Sequence, residues 1–321
     1  MMDFTLTERQ QAVADLAAQV LTGPDPWKAL AQAGLLDADL GVLEIAVLLT
    51  EIGRRAPSMQ ALATLMIGAL PLLRWGHPDP AVASGEVLLT SALREPSDPA
   101  PAPPATALAD GKLTGTKIGV PYAEQSHRIL VPASCGVALL DPSAEGVTLT
   151  RTPSSSGEPE YTLRLDQAPA ERVLGGAECV RDLYRLAVAG ACALADGAVA
   201  GALALTRDHV ATRRQFGRPL ATFQAVSQQI AEVYIASRTM HLATRAACWR
   251  LAEGHDAAAD LEVAAYWCAE RAPESVRLCH HLHGGLGMDA TYPLHRFSSL
   301  VSDLVRYLGG AQYRLDRCSS T

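Results

Sequence analysis

Three arginines, a glutamine, a phenylalanine and a glycine stand together in Arg213-Arg214-Gln215-Phe216-Gly217-Arg218-Pro219-Leu220. That mixture suits an anion, because guanidinium groups bring charged donors and the amides around a glycine add more with no side chain in the way. A second stretch, His281-Leu282-His283-Gly284-Gly285-Leu286-Gly287, would let backbone come equally close to a phosphate. On charge alone, the arginines read as well as a solvated helix end and the Gly284-Gly285 pair as a helix break. His280, His281 and His283 invite a metal reading, but positions i, i+1 and i+3 of a helix do not converge on one ion and no carboxylate sits at ligand spacing, so no metal is expected. No strand pattern precedes Gly284, which removes a dinucleotide-binding fingerprint.

The elements that must position these residues fall into three blocks: 1–85, 86–172 and 173–321. The first block reads as helices, with Thr7 as a cap, Val13, Leu16, Ala17 and Val20 on one face, and a nearly all-apolar run from Ala61 to Leu73 that is either buried or faces a partner. From Glu86 the period changes to short strands, with Asp110-Gly111 as a type I′ hairpin signal and a proline-rich stretch, Pro96 to Pro104, as an extended loop. The third block reads as four long helices. The first is Ala- and Gly-rich from Asp182 to Thr206, and the second carries a stripe from Phe223 through Val233 and Met240 to Leu251. The third, Leu261 to His283, is expected to kink or break at Pro273, and the fourth ends at Gly309-Gly310. The fold class is mainly α with a middle β domain: an N-terminal helical domain, a small β-barrel and a C-terminal four-helix bundle.

Composition closes off other classes. With 321 residues, 49% of them hydrophobic and 19% charged, the chain has material for a large core and is not disordered. A net charge of −7 leaves no basic footprint for nucleic acid, and the apolar runs read as too short for a membrane span. Met1-Met2-Asp3-Phe4-Thr5 lacks the basic start and apolar core of a signal peptide, so a cytoplasmic location is expected. The seven cysteines include no Cys-x-x-Cys pair and read as reduced core thiols.

The order of blocks, together with Arg213-x-Gln215-Phe216-Gly217-x-Pro219-Leu220, the following Phe223-Gln224 and the His281 to Gly287 segment with Tyr292-Pro293, resembles the acyl-CoA dehydrogenase family. The resemblance covers nearly the whole chain, with a shorter N-terminal part. It implies FAD, whose adenosine diphosphate half is bound mainly by a neighbouring subunit and contacted across the boundary by Arg213, Gln215, Phe216, Phe223, Gln224, His281, Gly284 and Gly285. It also implies an acyl-CoA substrate and an electron-transfer acceptor.

The family's catalytic glutamate is missing. At its usual position, in Tyr307-Leu308-Gly309-Gly310, stands Leu308; the alternative position early in the first bundle helix falls near Tyr184, beside Asp182. A carboxylate is needed there to accept the substrate's α-proton. The family's flavin-holding segments in the β domain stand here as Arg94-Glu95-Pro96-Ser97-Asp98-Pro99 and Gly119-Val120-Pro121, without the expected glycines, aromatic and hydroxyl. The chain is thus expected to have no base of its own and to complete the FAD site of a base-bearing partner, in the manner of the short subunits of actinobacterial steroid side-chain degradation, which form α2β2 assemblies. That resemblance implies a steroid-CoA substrate. Two other readings compete: a self-sufficient flavoenzyme with a relocated base such as Glu95 or Glu124, and a purely structural partner chain without cofactor contact.

Overall fold

A computed structural model describes residues 4–37, 39–55 and 58–319; the reading of Met1-Met2-Asp3 lies outside them. The chain opens with α1 (Glu8–Val20), where Thr7 and Gln10 satisfy each other's backbone amides in a capping box. Val13 and Ala17 are buried and Leu16 and Val20 half-buried. α2 (Pro26–Gln32) and α3 (Val42–Arg55) follow. The all-apolar stretch is a π-helix, Leu62–Ala69, continuing into α4 (Leu70–Arg74), and every residue of the π segment is buried inside the chain itself. That decides between the two roles open to it from sequence.

Eight strands build the middle region: β1 (Leu89–Ser91), β2 (Ala107–Ala109), β3 (Lys112–Pro121), β4 (Arg128–Ala133), β5 (Gly136–Leu140), β6 (Val147–Thr152), β7 (Glu160–Pro169) and β8 (Arg172–Leu174). They pair as two four-stranded sheets, β1-β4-β5-β8 and β2-β3-β7-β6, and among the described residues these ladders do not join into one closed barrel. Asp110 and Gly111 both have positive φ, 49° and 72°, as a type I′ turn between β2 and β3 requires. β8 is too short to carry an alternation signal and was not legible beforehand.

The helices return with α5 (Ala177–Thr212), α6 (Gln224–Ala252), α7 (Ala258–His283) and α8 (Leu294–Leu308), followed by a short α9 (Ala311–Cys318) against α7 that sequence reasoning missed. α5 is the axis of the molecule. A Cβ on Gly53 of α3 would lie 2.3 Å from the Leu194 carbonyl oxygen, and one on Gly197 would lie 2.0 Å from that of Thr50, so the two helices touch backbone to backbone through their glycines. α5 is also long and apolar enough, by length and composition, to cross a membrane, contrary to the expectation from apolar runs. Most of that window is buried as the core of the bundle, which explains its composition. α7 runs through Pro273 without a break; neighbours on α5, α6, α8 and α9 hold it, outweighing one lost backbone bond.

One apolar core joins α1–α4 to α5–α8 and reaches β1, β5 and β8, while a second fills the space between the two sheets. All seven cysteines are free thiols.

Candidate functional site

α5 ends where Arg213 turns extended, at φ −67° and ψ 126°. Arg214–Gln215 and Arg218–Pro219 then pair as a two-residue hairpin whose tip, Phe216-Gly217, has φ values of 52° and 78°. A bulky residue in that conformation is uncommon and points to a job for the side chain. The Phe216 ring is 93% exposed, with its edge toward Phe223 at 6.2 Å between centroids. The Arg218 guanidinium lies 4.1 Å above the Phe223 ring, so it is engaged rather than merely solvent-facing. The backbone of Leu220 donates to the Arg213 carbonyl at 2.9 Å, closing the hairpin base, while the Arg213 side chain is exposed and makes no hydrogen bond or ion pair among the described residues. Gln224 opens α6, whose first turn has no side-chain cap.

The second segment arrives at the same end of the bundle. His209, one turn before Arg213, stacks on His283 at 4.4 Å, and His283 immediately precedes Gly284. His283 is also tied to the Cys279 carbonyl (2.8 Å) and the Tyr292 hydroxyl (3.1 Å), and His280 bridges the Gly287 carbonyl (2.8 Å) and Ser298 (3.0 Å). Burial, then the nearby Arg213 charge, lowers the pKa of His209; burial also lowers that of His283, with His209 and His280 adding to it. Both shifts favour the neutral form, so His209 and His283 brace the segment as packing groups, and no group of three or more metal-binding side chains converges among the described residues. The glycines divide by role. Gly287 is packed, since a Cβ there would lie 2.9 Å from the His280 carbonyl oxygen, whereas Cβ atoms on Gly284 and Gly285 would meet nothing within 4 Å. His281 is exposed beside them.

The positions expected to lack a base lie elsewhere and are closed. Leu308 is 1% exposed, and its carbonyl accepts from Arg314 Nε at 2.6 Å. The Tyr184 hydroxyl donates to the Leu93 carbonyl at 2.9 Å, and burial raises its pKa. Asp182 is occupied by Arg74 (3.0 Å) and the Trp75 indole (3.2 Å).

The β-domain segments beside them are filled by a charge network that sequence reasoning did not find. Glu95, 4% exposed, accepts from Lys117 Nζ (2.8 Å), the Thr106 hydroxyl (2.7 Å) and amide (2.9 Å), and the Ala105 amide (2.8 Å). Burial alone would raise the Glu95 carboxyl, but these donors outweigh it and hold its pKa at about 2. The carboxylate gathers both ends of the proline-rich stretch. Instead of leaving the sheet edge, that stretch folds back, with Tyr313 donating to Asp98 at 3.0 Å and Pro99 packed over Gly309. Arg94 reaches across Gly119, where a Cβ would stand 2.8 Å from its Nη1. Arg306 grips Glu160 through two bonds of 2.6 and 2.7 Å and also reaches Asp303 at 3.1 Å. Glu124 is exposed and accepts from the Tyr161 hydroxyl at 2.7 Å.

Residues 182–311 match the family model described as acyl-CoA dehydrogenase, C-terminal domain. The chain is 46% identical over 340 residues to the acyl-CoA dehydrogenase FadE28 of Mycobacterium tuberculosis, covering 100% of both chains. Among solved structures it is similar to a variant of the Tcur3481-Tcur3483 steroid ACAD, with a TM-score of 0.91, 32% identity and 98% of each chain covered. The ChsE4-ChsE5 complex from Mycobacterium tuberculosis gives a TM-score of 0.90 at 28% identity, covering 99% of this chain and 98% of the other.

Proposed function

The chain belongs to the acyl-CoA dehydrogenase family, and we propose that within it the chain is the base-lacking subunit of a heteromeric α2β2 enzyme that completes the FAD site of a base-bearing partner. One contrast carries this reading. The Arg213 hairpin and the Gly284-Gly285 turn stand open at one end of the bundle, while the chain's own base position and β-domain segments are packed shut.

The open end fits a pyrophosphate. Arg213 is a cation without a partner among the described residues, Gly284 and Gly285 leave room for close approach, and the uncapped first turn of α6 supplies amides. On the same two segments Gln215, Phe216, Gln224 and His281 are exposed and Phe223 is half-buried. FAD, when bound, supplies the hydride acceptor for dehydrogenation of an acyl-CoA thioester between its α and β carbons. This chain's share is to hold the anionic end of the cofactor and exclude water from it, with the proton taken by the partner. At the other end, Arg94, Pro99 and the Arg306–Glu160 pair pack the β-domain segments closely, which supports the reading that this chain holds no flavin of its own. The similarity to a steroid ACAD supports a steroid-CoA as the substrate class.

A relocated base finds little support. Glu95, with four hydrogen bonds and a carboxyl held at about 2, is a poor proton acceptor. The deciding experiment is co-expression with the base-bearing subunit, followed by flavin absorbance and turnover on both the chain alone and the complex. Flavin and activity are expected only in the complex. Yellow, active chain on its own would favour the relocated base, and a partner with full flavin in this chain's absence would favour a structural role.

A further inference from the structure

A cavity of about 380 Å³ lies between α1, α3, α5 and α6, away from both sites above. Asp196 on its wall is 12 residues past Tyr184 and 17 before Arg213 on the same helix, roughly 18 and 25 Å along the axis at 1.5 Å per residue. The volume is in the range of small-molecule sites, and much of the wall is apolar: Phe4, Leu6, Ala14, Val47 and Ala193.

Its polar groups are unequally satisfied. Each carboxylate facing the space is already engaged: Asp196, 3% exposed, with His241 Nδ1 at 2.8 Å, Glu51 with Arg54 and Arg55, and Asp15 with the Gln11 amide at 2.8 Å. The donors are not. The Thr244 hydroxyl is buried on a residue only 3% exposed and has no hydrogen-bond partner among the described residues. Arg54 Nε is also buried without a hydrogen bond among the described residues, its ion pair with Glu51 being a loose one at 3.8 Å. Arg245 forms no ion pair among the described residues and makes one hydrogen bond there, 3.4 Å to the Phe4 carbonyl; burial lowers its pKa, only partly offset by the Cys248 thiol and the Asp196 carboxylate nearby. Buried polar groups in folded proteins are normally paired, so unpaired donors around a roomy cavity indicate what is to be supplied. The missing partner is an acceptor with negative charge, and the walls ask for an apolar body behind it.

We propose that this cavity binds a small organic anion, with the carboxylate seated on Arg245, Thr244 and Arg54 and the hydrocarbon part on the α1 and α3 side. The proposal is independent of the flavin reading, since it concerns neither the Arg213 hairpin nor the Leu308 end.

The test uses the full chain, alone and in its assembled complex, with sodium octanoate as probe and 1-octanol as its uncharged counterpart, by titration calorimetry. Octanoate is expected to bind one site per chain and octanol at least about ten-fold more weakly, since a hydrogen-bonded charge is worth roughly that factor or more. Arg245→Gln and Thr244→Val should each weaken octanoate, the former by about ten-fold or more, with the thermal midpoint checked to confirm a folded protein. Ala14→Leu, which narrows the cavity from α1 without touching a donor, should weaken both probes. Absence of octanoate binding, equal affinity for octanol, or unchanged binding in folded Arg245→Gln would overturn the proposal.

Discussion

At the scale of single residues, one side chain bears the proposed cofactor sharing and one stands where the family resemblance puts the base. Arg213→Ala should lower the flavin content of the assembled complex by weakening affinity about 10–150-fold, the worth of a hydrogen bond to a charged group. Arg218 cannot serve as the neutral control, because its guanidinium covers Phe223. Arg207 is the better choice: its side chain is 67% exposed and, among the described residues, paired only with its neighbour Asp208, and Arg207→Ala should leave flavin unchanged. Flavin absorbance after gel filtration, with subunit stoichiometry from the same run, reads both; full retention in Arg213→Ala would remove the pyrophosphate contact. Leu308→Glu should not create a second active site. It would place a carboxylate inside the apolar core, at a cost on the order of 3 kcal/mol, and unfolding midpoints should fall without any gain in flavin or turnover. A doubled flavin content would mean the closed end is more accommodating than its packing implies.

At the scale of elements, the Glu95–Lys117 pair ties β3 to the proline-rich stretch and holds that stretch over Gly309. Lys117 is fully buried, so removing its partner leaves an uncompensated charge. Glu95→Gln should therefore destabilise the fold by about 3–5 kcal/mol in denaturant unfolding. The pH dependence has a definite sign. The folded Glu95 pKa, about 2, lies below its ordinary value of 4.5, so its stabilisation is complete above about pH 4.5 and is lost as pH falls toward 2. Stability profiles of parent and Glu95→Gln should converge over that window; parallel profiles would show that the pair does not titrate as its surroundings dictate.

At the scale of the whole molecule, the open end looks like half of something. Phe216 and Met288 are 93% and 81% exposed there, with Leu286 also exposed. The α6 stripe continues the theme, since Val233, Met240 and Leu251 are buried while Phe223, Val226 and Ile230 are only half-covered. Exposed aromatics at such positions commonly anchor a partner. Phe216→Asn keeps a residue type that tolerates the positive φ of the hairpin tip while removing the ring. It should weaken association with the base-bearing subunit by about 2 kcal/mol, or roughly 30-fold, in sedimentation or calorimetric titration. Unchanged association would move the interface away from the hairpin. By the same reasoning the chain alone is expected to self-associate, colourless, at concentrations where the complex stays monodisperse.

Local patterns determined a good deal on their own. The Thr7 cap, the Asp110-Gly111 hairpin, the long C-terminal helices and the small-residue face of α5 were legible because each depends on neighbours a few residues apart, as do the two motifs that the family resemblance rests on. Only the tertiary structure decided the rest. It carried α7 through Pro273, buried the membrane-length α5, and folded the proline-rich stretch back onto the α8–α9 connection. It also brought together Glu95 with Lys117, Glu160 with Arg306 and Asp196 with His241, which are 22, 146 and 45 residues apart. The reason is physical: a buried charge is tolerable only beside its partner, and which residues become neighbours is set by how the helices and sheets pack, not by their order along the chain.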